Sequence, residues 1–368
     1  MLRILSVCTV PTEKSGIPNV IFNLLSNFPK DSVKLGYVSI NDPSDFYNHK
    51  LRDIGAELYI VPRKISHPLR YIRQLAKIAH NYDVIHVHGN SATMVLEMIA
   101  AKMAGVPFRI AHCHNTTCGQ KLIDKLARPL FYSLCNGRIA CGKEAGNWLF
   151  GSRDFKVINN GINVTKFKYS QEIRNNLREC FGIGNEPVIG HIGNFNYQKN
   201  HIFLIKIFKE VILRCPGARL LLLGDGPLKV EVKEQVMKAG LSEAVIWSGS
   251  VDNPQDYMNM MDLVIMPSRF EGLPLTMVEE QANGLTVLAS DIITKDANIT
   301  GKVFYKSLKD PVSEWVDRAI ELLDKDKRNL RSSENYATQI RNAGFDINGI
   351  AQELIRYYNS YPSGVSPN

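Results

Sequence analysis

The stretch DLVIMPSRFEGLPLTMVE at residues 262–279 decides the fold of this chain. Its first part, residues 262–266, is a short apolar run that is typical of a buried strand. Glu271 stands on the Gly-Leu-Pro turn that follows, and Pro274 suits the first position of a helix. Glu279 then lies one turn into that helix. The stretch therefore predicts a strand, a tight turn and a helix, with one glutamate on the turn and one on the helix.

The start of this predicted helix has no Ser, Thr, Asp or Asn at its capping position. Its first backbone amides are therefore available to a ligand, and the helix dipole favours an anion there. Carboxylates on each side of an anion accept hydrogen bonds from sugar or ribose hydroxyls, so the pattern suits a sugar nucleotide. The spacing leaves open an ordinary solvated helix start, where the dipole also favours acidic residues.

The composition is that of a globular protein with more than one core. A chain of 368 residues suggests two α/β domains, and its 45% hydrophobic content is ordinary for such domains. No apolar run approaches the ~20 residues that a membrane span requires. The 7 cysteines are an odd, scattered set without a CxxC pair, which predicts a protein of the reducing cytoplasm.

Positive charge is concentrated in the first half of the chain. Residues 1–170 carry 22 Lys and Arg against 11 Asp and Glu, whereas the remainder carries 22 against 25. Helical spacing places basic residues on one face of each of two predicted helices: Arg70, Arg73 and Lys77, and then Lys121, Lys125 and Arg128. These are either solvated helix faces or a surface for anionic membrane lipid or a polyanionic acceptor. Nucleic acid is not expected, because no aromatic stacking ladder or known nucleic-acid module accompanies them.

Strand-like and helix-like patterns alternate along both halves of the chain. Strands are predicted at residues 3–10, 33–39, 58–61, 84–87, 108–113, 137–140, 188–192, 219–223, 245–247, 263–266 and 286–289. Helical patterns separate most of them, which indicates βαβ units with parallel sheets. A turn signal places the boundary between the two domains near residues 163–185.

The unusual polar residues and glycines follow predicted strands. The set consists of Gly16, His88, His114, Asn194, Lys199, the run 224–227 and Glu271. Open α/β sheets bind ligands outside the carboxyl ends of their strands, so these residues fall where a site is expected.

Seven segments together resemble the retaining glycosyltransferases of family 4, which have the GT-B fold, and among them the enzymes of bacterial capsule, exopolysaccharide and O-antigen synthesis. The segments are residues 82–89, 109–115, 140–145, 160–162, 193–200, 224–228 and 271–279. The resemblance implies two Rossmann-like, doubly wound parallel-sheet domains that face a central cleft. It implies an acceptor-binding domain at 1–165 and a nucleotide-sugar-binding domain at 166–345. Residues 346–368 would form a helix that crosses back to the first domain, followed by a frayed tail.

The resemblance also implies roles for the residues of the donor site. Glu271 would hold hydroxyls of the donor sugar, Glu279 would bind the ribose, and Lys199 would neutralise the diphosphate. The backbone of Gly16 and of the run Gly272, Leu273, Pro274 and Leu275 would complete the phosphate cradle. Val251 would lie near the base, for which the resemblance favours uracil. Asn194 replaces the arginine that the family usually has after Gly193, so that one phosphate partner is missing.

On the acceptor side, the resemblance places His114 near the donor sugar and the acceptor, as a catalytic residue together with Glu271. His88 is assigned to the acceptor side with the six basic residues named above. The expected partners are a nucleotide-sugar donor, a glycan or lipid-linked oligosaccharide acceptor, and an anionic membrane at the cytoplasmic face. No cofactor and no metal are expected, since Lys199 and a helix start supply positive charge. The DxD motif at Asp324-Lys325-Asp326 reads as a polar turn after a helix.

Several alternatives remain open on sequence alone. His86 is interpreted as a buried, hydrogen-bonded core histidine, and His88 fits either a core or a site residue. A zinc site of His112, Cys113, His114 and Cys118 is disfavoured, because the spacing matches no closed structural site and a strand directs His112 and Cys113 to opposite faces.

The rival functions are a nucleotide-sugar 2-epimerase on the same architecture, a dinucleotide-dependent oxidoreductase and a non-catalytic polysaccharide-binding subunit. The oxidoreductase is disfavoured, because the loop after the first strand lacks the glycine fingerprint and Gly224-x-Gly226 is incomplete.

Overall fold

A computed structural model describes residues 1–13, 16–323, 331 and 335–361. The chain forms two compact units, of which unit 1 comprises Met1–Gly161 with Asp346–Asn368 and unit 2 comprises Ile162–Phe345. The C-terminal segment thus belongs to unit 1. The Asp324-Lys325-Asp326 motif and tail residues 362–368 lie outside the described residues.

Unit 1 is built on a seven-stranded parallel sheet with the strand order β3-β2-β1-β4-β5-β6-β7. Its strands are β1 (Leu2–Cys8), β2 (Val33–Ser39), β3 (Glu57–Ile60), β4 (Val84–Gly89), β5 (Phe108–Cys113), β6 (Gly137–Ala140) and β7 (Lys156–Val157). Its helices are α1 (Gly16–Leu25), α2 (Asp45–Asp53), α3 (Pro68–Ala79), α4 (Val95–Met103), α5 (Lys121–Leu134), α6 (Lys143–Phe150) and the C-terminal helix, here α14 (Ile347–Ser360).

Unit 2 repeats this architecture with a six-stranded parallel sheet in the order β10-β9-β8-β11-β12-β13. Its strands are β8 (Val188–Ile192), β9 (Arg219–Leu223), β10 (Val245–Gly249), β11 (Leu263–Met266), β12 (Thr286–Ser290) and β13 (Val303–Lys306). Its described helices are α7 (Gln171–Cys180), α8 (His201–Arg214), α9 (Lys229–Lys238), α10 (Pro254–Met260), α11 (Leu275–Ala282), α12 (Val312–Leu322) and α13 (Tyr336–Asn342).

Each sheet is covered on both faces, which explains the nearly continuous apolar runs of its central strands. In β1, Leu5 and Val7 pack into one buried cluster, while Ile4 and Cys8 pack into a second cluster on the other face. The sheet of unit 2 separates two further buried clusters in the same way. No helix in the described ranges is both long and apolar enough to span a bilayer.

In both sheets the strand order reverses beside the first strand of the unit. The reversal lies between β1 and β4 in unit 1 and between β8 and β11 in unit 2. The loops that leave the carboxyl ends of neighbouring strands diverge at such a point and leave room for a ligand. This topology fixes where the candidate site residues of each unit are displayed.

Candidate active site

The switch point of unit 2 brings together two predicted donor residues, Lys199 and Glu271. Lys199 lies on the loop after β8, and Glu271 lies on the loop after β11. The Nζ atom of Lys199 stands 2.6 Å from Oε1 of Glu271, and the two side chains are only 13% and 9% exposed. Gln198 donates from Nε2 to the second carboxylate oxygen of Glu271 at 2.9 Å. Both oxygens of Glu271 are thus held by the loop that carries Lys199.

The position of Lys199 depends on a glycine at the end of β8. A Cβ atom added to Gly193 would stand 2.9 Å from Cε of Lys199, so the lysine stem lies directly on the glycine backbone. The two loops are also joined by Asn200, which donates from Nδ2 to the carbonyl of Pro267 and accepts from Arg269. These contacts give the ion pair a defined place.

The helix after Glu271 begins one residue later than the sequence predicts. Pro274 occupies the N-cap with an extended backbone, and α11 begins at Leu275. Pro274 itself has no side chain that can cap this start, as the sequence predicts, and no side chain of the described residues caps the first amides of α11. The helix ends before Gly284, whose φ of +78° suits the left-handed position after a helix.

Burial raises the pKa values of two neighbouring glutamates of α11. Part of Glu279 is accessible to solvent, yet burial is the main cause that raises its pKa to about 8, against the opposing charge of Lys166. Glu280 is fully buried, and neither of its carboxylate oxygens has a hydrogen-bond partner among the residues that the structure describes. Burial raises the pKa of Glu280 well above its usual range. A carboxyl group whose pKa lies near neutrality is a common feature of functional sites.

The remaining predicted donor residues are distributed over both units. Asn194 and Gly272 are exposed on the loops after β8 and β11, whereas Leu273 and Leu275 pack against a buried cluster of unit 2. Val251 follows β10 and packs against the same cluster. Gly16 is exposed at the first position of α1 and belongs to unit 1.

Unit 1 contains a histidine array, which we define as His86, His88, His112 and His114. His86 and His88 lie on β4, and His112 lies on β5 opposite His88. The rings form two hydrogen-bonded pairs: His86 Nε2 is 3.2 Å from His112 Nδ1, and His88 Nδ1 is 3.0 Å from His114 Nε2. The pairs stack on each other, with ring centroids 4.1 Å apart for His86 and His88 and 4.1 Å apart for His112 and His114.

Burial keeps the histidine array neutral. Burial lowers the pKa of His86 to about 3 and that of His114 to about 4, and it lowers the pKa values of His88 and His112 well below the usual range. The hydroxyl of Tyr358 on α14 lies 2.6 Å from Nδ1 of His86. The interpretation of His86 as a buried, hydrogen-bonded core histidine is therefore confirmed.

The structure differs from the sequence-based assignment of His88. The resemblance assigns that residue to the acceptor side, but its side chain is completely buried and contacts His114 instead. His114 is partly accessible, and its backbone amide donates to the carbonyl of Gly89 at the end of β4. Of the two side chains, only that of His114 is partly accessible to solvent, and its Nδ1 atom is buried.

Ring nitrogens of His86, His88 and His112 lie within 4.8 Å of one another, which is close enough for a shared metal ion. The ring planes of His86 and His88 are stacked at 28°, however, so their in-plane lone pairs run side by side instead of converging. His112 and Cys113 point to opposite faces of β5, as predicted, because Cys113 packs into a cluster on the other side of the sheet. Hydrogen-bonded pairs describe this arrangement better than a metal centre does.

Helix α5 displays an apolar stripe that the sequence analysis did not identify. Leu122, Ile123, Leu126 and Leu130 are 71%, 55%, 73% and 50% exposed. The predicted basic residues Lys121 and Lys125 flank this stripe and are exposed as well.

The remaining predicted basic residues lie on α3 and α5. Arg70, Arg73 and Lys77 are exposed on α3, and α4 packs between α3 and α5. Arg128 differs from the others, because it donates to Asp124 at 2.8 Å and stacks over Trp148. Arg128 therefore stabilises α5 internally and is not part of the basic surface.

Two families match the two halves of the chain. Residues 14–166 match the family described as Glycosyltransferase Family 4, and residues 186–325 match Glycosyl transferases group 1. A Bacillus subtilis protein named as a glycosyltransferase, EpsF, is 31% identical over 323 residues, which is 83% of this chain and 84% of that protein. An Escherichia coli enzyme named UDP-Gal:alpha-D-GlcNAc-diphosphoundecaprenol alpha-1,3-galactosyltransferase is 25% identical over 72% of each chain.

Solved structures show the same fold. The crystal structure of Anabaena Alr3699/HepE in complex with UDP superposes with a TM-score of 0.78 at 19% identity, covering 98% of this chain and all of that one. The same Anabaena protein has also been solved in complex with UDP-glucose, again with a TM-score of 0.78. The two parallel-sheet units thus have the architecture that the sequence predicts.

Proposed function

This chain belongs to the GT-B glycosyltransferases of family 4, and we propose that it acts in bacterial surface polysaccharide synthesis. In the proposed reaction it moves a hexose or an N-acetylhexosamine from a UDP-sugar to a lipid-linked or oligosaccharide acceptor. The configuration of the sugar is retained. The observation that carries the proposal is the ion pair of Lys199 and Glu271 at the switch point of unit 2, beside the uncapped start of α11.

The chemistry of that site suits a sugar diphosphate. The ammonium group of Lys199 has three donors, so it can keep Glu271 and also bind a phosphate oxygen. The amides at the start of α11 add positive potential for the diphosphate. Lys199 and Gln198 both hold the carboxylate of Glu271, and these contacts orient it for sugar hydroxyls. Glu279 is proposed to accept hydrogen bonds from the ribose hydroxyls.

The names of two relatives support the choice of donor and acceptor. The relative from Escherichia coli is named for UDP-Gal and for a diphosphoundecaprenol acceptor. The Anabaena structure was solved with UDP-glucose. We propose the same classes here, with uracil as the base.

In the proposed reaction the bond between the anomeric carbon and the diphosphate oxygen breaks, and a bond to the acceptor oxygen forms on the same face of the sugar. The departing phosphate takes the proton of the acceptor hydroxyl, so protons and charges balance. Lys199 and α11 stabilise the charge that develops on the leaving group, which is the part a metal ion plays in other transferases. We therefore propose that no metal is required. His114 is the proposed catalytic residue of unit 1.

We propose that unit 1 also holds the enzyme on the cytoplasmic face of an anionic membrane. Unit 1 contains 21 Lys and Arg against 13 Asp and Glu, whereas unit 2 contains 23 of each, so the net charge of +8 belongs to unit 1. The exposed apolar stripe of α5 lies beside Lys121 and Lys125, which is the pattern of a helix that lies in a membrane interface. The bilayer is thus a complementary partner in charge and in hydrophobicity.

Donor hydrolysis and transfer by the purified protein test the proposal. We expect turnover of one member of a panel of UDP-sugars in the presence of excess EDTA, and an α-configured donor should give an α-linked product by NMR. Loss of activity on chelation with rescue by Mg²⁺ or Mn²⁺ would reject metal independence. An inverted product would reject retention, and conversion of the donor to its 2-epimer without an acceptor would identify the rival epimerase. Absence of turnover with every donor and acceptor would favour the non-catalytic subunit.

A further inference from the structure

Two large aromatic side chains are exposed next to the residues of the ion pair in unit 2. Tyr197 is 66% exposed on the loop after β8, and Phe270 is 53% exposed on the loop after β11. Tyr197 lies two residues before Lys199, and Phe270 directly precedes Glu271. Single exposed apolar residues are ordinary, but two aromatic rings grouped at a candidate site indicate a surface that binds a ligand.

Arg269 joins the two loops and fixes the positions of both aromatic residues. Its guanidinium carbon lies 4.5 Å from the ring centroid of Tyr197, which is a cation–π contact. Its backbone amide donates to the carbonyl of Gln198 at 2.8 Å, and its Nη2 donates to Oδ1 of Asn200 at 2.9 Å. Phe270 follows Arg269 in the chain, so the same contacts hold its backbone. A ligand therefore meets rings that are already ordered, which reduces the entropy cost of binding.

Exposure separates the aromatic rings from the proposed donor ligands. The side chains of Lys199 and Glu271 are only 13% and 9% exposed, because they are directed at each other. Tyr197 and Phe270 instead point toward solvent. A donor sugar held by Glu271 occupies the inner, polar layer of this site. The outer, aromatic layer is then available to the second sugar of the reaction, which is that of the acceptor.

The chemistry of the outer layer matches a sugar ring. The face of an aromatic ring is negative, whereas the C–H groups on one face of a pyranose are apolar and weakly positive, so the two faces stack. Arg269 carries five N–H donors, so it can keep Asn200 and also donate to sugar hydroxyls. An apolar face beside donors to hydroxyl oxygens is the combination that a carbohydrate offers and requires.

We propose that Tyr197 and Phe270, held by Arg269, form a carbohydrate-binding surface of unit 2 that stacks on a sugar ring of the acceptor. The inference rests on the proposed function, because it takes the acceptor to be a glycan or a lipid-linked oligosaccharide. It adds acceptor recognition to the unit that carries the donor ligands.

Saturation-transfer NMR tests sugar binding without turnover. The probes are the methyl α-glycosides of glucose, galactose, N-acetylglucosamine and N-acetylgalactosamine, each added to the protein in saturating UDP. We expect saturation transfer to the ring C–H protons of at least one glycoside, and its loss in the double variant Tyr197→Leu, Phe270→Leu. Absence of transfer to all four in the wild type, or equal transfer in the double variant, would overturn the proposal. Transfer that is lost only in Glu271→Gln would place the sugar at the donor ligands and would also overturn it.

Steady-state kinetics test the role in transfer. The double variant should raise the KM for the acceptor about tenfold, with a smaller change in kcat and unchanged UDP affinity. Tyr197→Phe keeps the ring and should bind the acceptor nearly as the wild type does. Phe181→Leu is the matched control, because Phe181 is an exposed aromatic residue of unit 2 that contacts Tyr257 instead, and it should leave the KM unchanged.

Three outcomes assign the rings to something else or separate the two proposals. A fall in UDP affinity equal to the rise in the KM would show that the rings stack on the base, which overturns the proposal. A wild-type dimer that becomes a monomer in the double variant, measured by analytical ultracentrifugation, would make the rings an interface between copies of this chain and would also overturn it. If the wild type binds a glycoside through these rings but transfers no sugar from any donor, the proposed function fails and the carbohydrate-binding surface stands.

Discussion

Lys199 and Glu271 neutralise each other, so the behaviour of a variant depends on both residues. Lys199→Ala should weaken UDP binding about tenfold or more, because a charge-assisted hydrogen bond contributes about 1.5–3 kcal/mol. The same change leaves the largely buried Glu271 without its cation, which should also lower the free energy of unfolding. Isothermal titration calorimetry with UDP and chemical denaturation measure the two effects separately.

The double variant Lys199→Ala, Glu271→Gln is the control for that experiment. It removes the unpaired charge, so it should recover stability without recovering UDP affinity. Glu271→Gln alone should leave UDP affinity largely intact and reduce turnover, because Glu271 is proposed to bind the sugar. If UDP binds Lys199→Ala as tightly as it binds the wild type, Lys199 does not bind the diphosphate.

The raised pKa of Glu279 predicts a pH dependence of UDP binding. Its pKa is about 8, so most of the protein carries a neutral carboxyl group at pH 7. A carboxylate accepts hydrogen bonds from two ribose hydroxyls, so binding should strengthen as the pH rises from about 6.5 toward 8, by up to about tenfold per pH unit. Calorimetry across this range should also detect protons released on binding.

Glu279→Gln isolates this effect from the titration of UDP itself. The variant should bind UDP more weakly, and its affinity should lack the component that increases toward pH 8. An identical pH profile in the wild type and in Glu279→Gln would show that Glu279 does not contact the ribose in its ionised form.

The histidine array shows what the sequence conveys about single residues and what it does not. Two H-x-H patterns occur near the ends of consecutive strands, and alternation places each pair on one face. His88 lies opposite His112 because of the register between β4 and β5. Tertiary packing sets this register, and neither strand encodes it alone. The contact with Tyr358 depends on α14, which is far along the chain but belongs to unit 1. The repeated pattern was available in the sequence, but the pairing was not.

At the scale of elements, the predictable strands are those buried on both faces. The strands β2, β5, β6, β8, β9 and β11 have the predicted bounds, since such strands are continuous apolar runs. The strands that were missed are β7, with two residues, and β13, which is half-buried; both lie at a sheet edge, where little apolar patterning is needed. The α11 prediction was one residue early, because Pro274 fits the N-cap and the first helical position about equally well in sequence.

The exposed stripe of α5 predicts membrane binding that salt reduces but does not abolish. Burying a leucine side chain in the membrane contributes about 1.5–3 kcal/mol to the free energy of binding, and salt does not screen this contribution. Each lysine or arginine contributes about 1 kcal/mol through its attraction to anionic lipid, and salt does screen that attraction. The wild type should therefore co-sediment with anionic vesicles, bind neutral vesicles weakly, and remain partly bound at high salt. Leu122→Ser with Leu126→Ser should remove the salt-resistant fraction.

Leu213 provides the matched control for that test. It is 70% exposed on α8 in unit 2, so Leu213→Ser changes a comparable surface without touching α5. This variant should sediment as the wild type does. The triple variant Arg70→Glu, Arg73→Glu, Lys77→Glu should lose the salt-sensitive part of its binding to anionic vesicles, retain the salt-resistant part, and keep its UDP affinity. Equal sedimentation of the wild type with neutral and anionic vesicles would show that these faces are merely solvated.

At the scale of the whole molecule, buried histidines in both units predict a loss of stability in mild acid. In unit 2, burial lowers the pKa of His201 to about 4 and that of His191 well below its usual range, as it does for the histidine array of unit 1. In the unfolded chain a histidine titrates near pH 6.5, so below that pH the unfolded state binds more protons than the folded state. The contribution of these histidines to stability is therefore complete above about pH 6.5 and falls as the pH decreases toward 4.

The slope of this acid transition distinguishes buried from exposed histidines. Each histidine that stays neutral in the folded state contributes up to about 1.4 kcal/mol of lost stability per pH unit below 6.5. His201→Phe removes one such group and places an aromatic ring against Phe195, which already stacks on His201. The free energy of unfolding should therefore depend less steeply on pH in this variant. His67→Gln, at an exposed position, should leave it unchanged. Urea denaturation between pH 4.5 and 7.5 measures the slope. The same slope in the wild type and in His201→Phe would show that the His201 side chain is already protonated or becomes accessible to water in the folded protein.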